Sequence, residues 1–304
     1  LRGFASRIEV VATTTTQPAQ MEAVAAANPL EVWHLLSLDA PSVAALWTWF
    51  VAHAHRVQLP AKPVAAMFLA VWVLYAADRL LDARSLRRAL VPSRPGVPVI
   101  LEARHLFHHR YRTRFVACAC MALVVLAALV PELNHVAVRL FAAEGFVLAG
   151  WFVTLHATPF ARHLPKELAL GVFFSAAVFI PTAARMHGST LPLLVGAALF
   201  ALLCSLNCLF IYRWEAPPYA EAGHPTTRFA ARFVIPLGVA VVGIGTALGM
   251  ASSTFLPPVS LAVALAAAAL LLLDRLRPRL PPTMLRAAAD FALLTPLVVL
   301  LVRR

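Results

Sequence analysis

Apolar residues in this chain come in continuous runs, not in alternation. Such runs cover Val64 to Tyr75, Phe115 to Val130, Leu191 to Tyr212, Phe229 to Met250 and Leu256 to Leu273. Most approach the roughly 20 residues needed to cross a bilayer core about 30 Å thick. Membrane β-strands would alternate apolar and polar residues, and these Ala- and Leu-rich runs do not. Prolines and polar clusters punctuate them: Pro60 and Pro63, the stretch 83–113, Pro131, the stretch 158–166, and Pro217, Pro218 and Pro225. The pattern predicts an all-α, polytopic membrane protein of about nine transmembrane helices. The expected spans are 37–57, 64–82, 115–130, 136–156, 167–184, 191–212, 229–250, 256–273 and 284–302. Residues 1–34 read as a mobile N-terminal tail and 35–304 as the transmembrane domain. The tail lacks a basic segment followed by an apolar core, so it does not read as a signal peptide. Met21 is an expected natural start.

Composition agrees with that class. Of 304 residues, 61% are hydrophobic and only 13% charged, with mean hydropathy +0.78. The formal charge of +12 would suit a nucleic-acid partner, but its distribution argues for orientation. With the N-terminus in the cytoplasm, nineteen of the 26 Lys and Arg fall in the tail and the segments on that side. The positive-inside rule then predicts a cytoplasmic N-terminus and an outside C-terminus, as in a bacterial inner membrane, with no nucleic acid bound. Cys118 with Cys120 and Cys204 with Cys208 lack C-x-x-C spacing and read as small buried hydrophobes. His53 with His55, and His105 with His109, lack companion ligands and read as interfacial residues. Asp39, two residues before Pro41, reads as a helix cap.

The polar residues near the end of the second span carry the chemistry. Asp78 and Asp82 are four apart and share a helix face, where two carboxylates repel. Near hydrocarbon such groups face a cavity, a partner or an ion. One reading has Arg79 and other basic residues neutralise them as a structural cluster. The other has them hold Mg²⁺, which favours oxygen ligands and substrate phosphates. The expected orientation places Asp78, Asp82, Arg162, Lys166, Arg213 and Glu215 at one membrane face. Arg and Lys there suit phosphate oxygens. Phe68, Trp72 and Tyr75 form an aromatic stripe that suits either packing or an allylic cation.

The segment AspArgLeuLeuAspAla, 78–83, resembles the latter part of the NDxxDxxxD motif of UbiA-type membrane prenyltransferases. ThrProPheAlaArgHisLeuProLysGluLeu with AlaLeuGly, 158–171, resembles that family's connection between the fourth and fifth spans. AsnCysLeu, 207–209, and the polar loop with ThrThrArgPheAlaAla lie where its second Asp-rich motif stands. The resemblance covers about residues 35–302 and implies a UbiA-like bundle. The pattern departs at Leu74 and Tyr75, in place of the first Asn and Asp. It departs again in the second motif, where Ile211 and Glu215 stand at carboxylate positions.

By that resemblance Asp78 and Asp82 are the catalytic carboxylates, and Asp78, Asp82 and Glu215 hold Mg²⁺. Tyr75, Arg79, Arg162, Lys166, Asn207 and Arg213 bind substrate. The implied activity is transfer of a prenyl group from a polyprenyl diphosphate to a lipophilic acceptor, aromatic rings among the candidates, within membrane lipid. Two alternatives stand beside it. One is a non-catalytic UbiA-fold protein that binds an isoprenoid or quinone-like lipid. The other is a cation-coupled transporter using Asp78 and Asp82, disfavoured because Glu144 and Asp290 sit near span ends and leave no ion path.

Overall fold

The computed structural model describes residues 28–89, 107–108, 110–157, 166–215, 225–251 and 256–302. All regular structure among them is helical. The helices are α1 (Pro29–Leu35), α2 (Asp39–Ala54), α3 (Ala61–Ala89), α4 (Arg112–Leu129), α5 (His135–Ala157) and α6 (Lys166–Ala183). There follow α7 (Leu191–Glu215), α8 (Pro225–Arg232), α9 (Val234–Ala251), α10 (Leu256–Leu276), α11 (Pro282–Ala292) and α12 (Pro296–Val302).

Each of the nine expected segments coincides with a helix or a helix pair. Among the described residues, five are long and apolar enough to cross a bilayer: Ala61–Leu80 of α3, α4 with the turn after it, α7, α9, and α10 with its following turn. Counting the bent pairs α1–α2 and α11–α12 as one span each gives seven, against the nine expected. The protein is thus a helical membrane protein. At 29 residues α3 is about 44 Å long, more than a bilayer core needs, and its apolar part ends at Leu80.

The bundle centres on α2, α7 and α10, with α6 and α11 against them. Val259, Ala262, Val263, Ala266, Ala267 and Leu270 are fully buried on α10. Their spacing of three and four makes one continuous helix stripe. The Trp47 ring of α2 lies 4.3 Å from Phe200 of α7. Helix α9 closes on α10 through glycine: a Cβ at Gly245 would stand 2.8 Å from the Ser260 carbonyl oxygen. Without a side chain there, the two backbones approach closely, as small residues allow in membranes. Large apolar side chains of α4, α5 and α9, such as Met121, Val124, Phe146 and Met250, face outward. In a bilayer that surface meets lipid tails.

Two helix breaks shape the site. Helices α1 and α2 meet at 92°, and α11 and α12 at 49°. Ser37 turns the first corner with φ +57°, the left-handed region that L-residues rarely occupy. Pro296 opens α12 and has no N–H to continue the ladder from α11. A break in a membrane helix frees backbone groups that need partners inside the protein. At each break a tryptophan supplies one. Trp72 Nε1 donates to the Leu36 carbonyl at 3.2 Å, and Trp47 Nε1 donates to the Leu293 carbonyl at 2.7 Å. Buried Ser37 and His108 also bond each other, Oγ to Nε2, at 3.0 Å.

Candidate functional site

The first corner creates the site. On an unbroken helix His34 and Asp39, five residues apart, would point about 140° from each other. The 92° bend instead brings His34 Nδ1 to 2.5 Å from Asp39 Oδ2. Both residues are buried, Asp39 completely. The second broken pair contributes Asp290, from the last turn of α11, whose Oδ2 lies 3.9 Å from the same imidazole nitrogen. Helix α7 adds Asn207, whose Nδ2 donates to Asp290 Oδ1 at 2.9 Å. Asp39 Oδ1 accepts from the Ala40 N–H at 3.0 Å.

Helix α3 supplies the next layer. Tyr75 donates its hydroxyl to Asp39 Oδ2 at 3.4 Å. Arg79, only 3% exposed, donates through Nη2 to the Tyr75 hydroxyl and lies over the Tyr75 ring, 4.5 Å from its centre. Its Nη1 has no acceptor among the described residues. Arg286, one turn before Asp290 on α11, acts electrostatically on Asp39, Tyr75 and Asp290. Its Nη1 donates to Glu215 Oε1 at 2.6 Å. Glu215 and Arg286 also line a cleft of about 100 Å³ with Trp214, Arg277 and Leu285. The cluster thus reaches a rim at the C-terminal end of α7. Three carboxylates, Asp39, Asp290 and Glu215, stand against the guanidiniums of Arg79 and Arg286, with His34 between. Of these, Glu215 pairs with Arg286, and Asp39 and Asp290 face His34; buried charge is tolerated when it is paired.

The sequence-predicted residues divide across the structure. Tyr75, Arg79 and Asn207 lie in the cluster, and Glu215 joins it through Arg286. Arg213 lies in a separate network, with Nε 3.8 Å from Asp274 Oδ1, which also accepts from Trp214 Nε1 at 2.8 Å. Asp78 is exposed, whereas its neighbour Arg79 is buried. Arg162, and the side chains of Asp82 and Lys166, lie outside the described residues. Asp39 is the first residue of α2, with Leu38 at the cap position, so its carboxylate serves the cluster as well as the Ala40 N–H.

Sequence reasoning did not single out His34, Arg286 or Asp290 as site residues. Arg286 and Asp290 carried a signal, being an i, i+4 pair of opposite charge inside an expected span. His34 carried none, because it reaches the site only through the bend at Ser37.

The ligands expected for Mg²⁺ are only partly described, because the side chain of Asp82 lies outside the described residues. Of the others, Glu215 is held by Arg286 and Asp78 is exposed. The donors that do converge include an imidazole nitrogen and face two guanidiniums. Comparison with family models, with curated proteins and with solved structures finds no match.

Proposed function

We propose that this chain is a UbiA-like, nine-span integral membrane protein that transfers a prenyl group from a polyprenyl diphosphate to a lipophilic acceptor. The observation that supports this is the meeting of the two motif regions. Tyr75 and Arg79 of the first and Asn207 of the second join one buried cluster through Asp39, His34 and Asp290. In this reading the lipid tail lies among the helices and the diphosphate head sits by Arg79 and Arg286. The guanidiniums favour departure of the diphosphate, whose oxygen takes the electron pair as the C1–O bond breaks. The prenyl C1 then bonds to the acceptor carbon, which releases its proton to water at the rim. The charge bias of the loops supports a cytoplasmic N-terminus and an outside C-terminus in a bacterial inner membrane.

A second reading keeps the lipid and drops the reaction. The pairing of Glu215 with Arg286, and the exposure of Asp78, favour a binding protein for an isoprenoid or quinone-like lipid. The deciding experiment incubates the purified chain with labelled polyprenyl diphosphate and a panel of phenolic and quinone-like acceptors, with and without Mg²⁺. Release of diphosphate with a prenylated product supports transfer. Bound but unchanged label supports the binding protein, and absence of binding removes the diphosphate site.

A further inference from the structure

The buried cluster contains a donor set suited to a different ion. His34, Asp39 and Asp290 each offer one ligand atom, and all three atoms lie within 4.8 Å of one another. Each carboxylate has its Oδ1 occupied by an N–H, from Ala40 for Asp39 and from Asn207 for Asp290. Both Oδ2 atoms face His34 Nδ1, at 2.5 and 3.9 Å, and that of Asp39 also accepts from the Tyr75 hydroxyl at 3.4 Å. Outer donors that fix ligand carboxylates in this way are a regular feature of metal sites. A second observation points the same way. Asn207 is 7% exposed, is anchored on Asp290 by its Nδ2, and its Oδ1 has no donor among the described residues. An acceptor oxygen therefore stands one carboxylate away from the donor set, without a partner among the described residues.

We propose that His34 Nδ1, Asp39 Oδ2 and Asp290 Oδ2 form a membrane-embedded site for a divalent transition-metal ion of the Zn²⁺ class, with Asn207 and Tyr75 supporting the ligands. Geometry permits it. Ligand bonds of about 2.0–2.1 Å in a tetrahedron place donor atoms roughly 3.4 Å apart. His34 and Asp39 must part by about 1 Å and Asp290 must close on the imidazole by about 0.5 Å, the scale of a side-chain adjustment. Charge permits it as well. With a neutral imidazole, Asp39, Asp290 and Glu215 outweigh Arg79 and Arg286 by one negative charge. A divalent ion with one anionic fourth ligand neutralises the cluster. The mixed nitrogen and oxygen donors favour zinc, manganese or iron(II) over Mg²⁺. Three protein ligands leave a fourth position open, where the ion would polarise an oxygen of a bound molecule. The site stands on these contacts and does not require the isoprenoid reading.

The test uses the full chain in detergent, stripped with a chelator and titrated with Zn²⁺ against a chromogenic competitor. The expected result is one tightly held ion per chain. Asp290→Asn and His34→Ala should weaken it at least tenfold, and Asn207→Ala by roughly 10–100-fold, as loss of an outer partner does. His53→Ala and His187→Ala, at exposed histidines, should leave it unchanged. Failure to retain zinc overturns the site, as does retention that is indifferent to Asp290→Asn or lost with His53 or His187. Should the cluster variants not fold, Co²⁺ bound to the native chain decides. Intense visible absorption of a four-coordinate ion supports the site, and the faint spectrum of the hydrated ion overturns it. Zinc bound without any polyprenyl diphosphate binding would retain this site and remove the isoprenoid reading. The converse would remove the site alone.

Discussion

Asn207 on α7 donates its amide to Asp290 on α11, 83 positions along the chain, at 2.9 Å. The contact ties the second motif region to a helix outside both motifs. It also leaves Asp290 with one oxygen satisfied and the other turned to His34. Asn207→Leu keeps the volume and removes the donor. It should cost about 1–3 kcal/mol, the penalty of stranding a buried acceptor. A lowered thermal midpoint in detergent is the expected reading, and an unchanged midpoint would mean the bond is not made.

The second helix break depends on Trp47. Its indole satisfies the Leu293 carbonyl and its ring packs on Phe200. Trp47→Phe retains most of the packing but leaves that carbonyl without the indole. A loss of about 1–3 kcal/mol follows, with earlier proteolysis between α11 and α12 than in the native chain. Equal protection of that break in both proteins would count against the assignment.

Two glycines on α9 make a matched pair. A Cβ at Gly245 would crowd the Ser260 carbonyl, whereas a Cβ at Gly243 would meet nothing within 4 Å. Gly245→Ala should therefore destabilise the α9–α10 contact. Gly243→Ala should be neutral or stabilise by up to about 1 kcal/mol, from helix propensity alone. Thermal midpoints of the two variants, measured side by side, decide this. A larger loss at Gly243 would contradict the packing.

His55 lies just beyond α2, 8% exposed, and donates through Nδ1 to the Val51 carbonyl at 2.9 Å. Burial pushes its imidazole below the usual value of 6.5. Below that pH the unfolded chain takes up a proton that the native chain refuses until a lower pH. The contribution of His55 to stability is thus fully present above pH 6.5 and is lost as pH falls through the native value. The thermal midpoint should drop as pH falls below 6.5, and His55→Gln should flatten part of that drop. An identical slope in the variant would show that another group is responsible.

Much of this architecture is legible in the sequence, because membrane helices announce themselves by length and continuity of apolar residues. Each expected segment coincides with a helix, and Tyr75, Arg79 and Asn207 were readable as polar residues within or at the end of an apolar run. What could not be read is the 92° corner. Nothing local marks Ser37 as left-handed, and a serine there looks like part of an ordinary N-terminal turn. Without the corner, His34 and Asp39 belong to opposite helix faces. For Asp78 and Asp82, a spacing of four defines a helix face, but periodicity alone does not say whether that face is buried; Asp78 is exposed and the side chain of Asp82 lies outside the described residues.

In the proposed function Arg79 and Arg286 at the buried cluster, and not the exposed Asp78, receive the charged head of an isoprenoid. The most direct measurement is equilibrium binding of a labelled polyprenyl diphosphate to the purified chain in detergent. It compares the native protein with Arg79→Gln and Asp78→Asn, each shown to be folded. Saturable binding is expected, weakened about tenfold or more by Arg79→Gln, the loss of one charge-assisted contact worth roughly 1.5–3 kcal/mol, and left nearly intact by Asp78→Asn. Absence of binding, or binding that depends on Asp78 and not on Arg79, would contradict the proposed function.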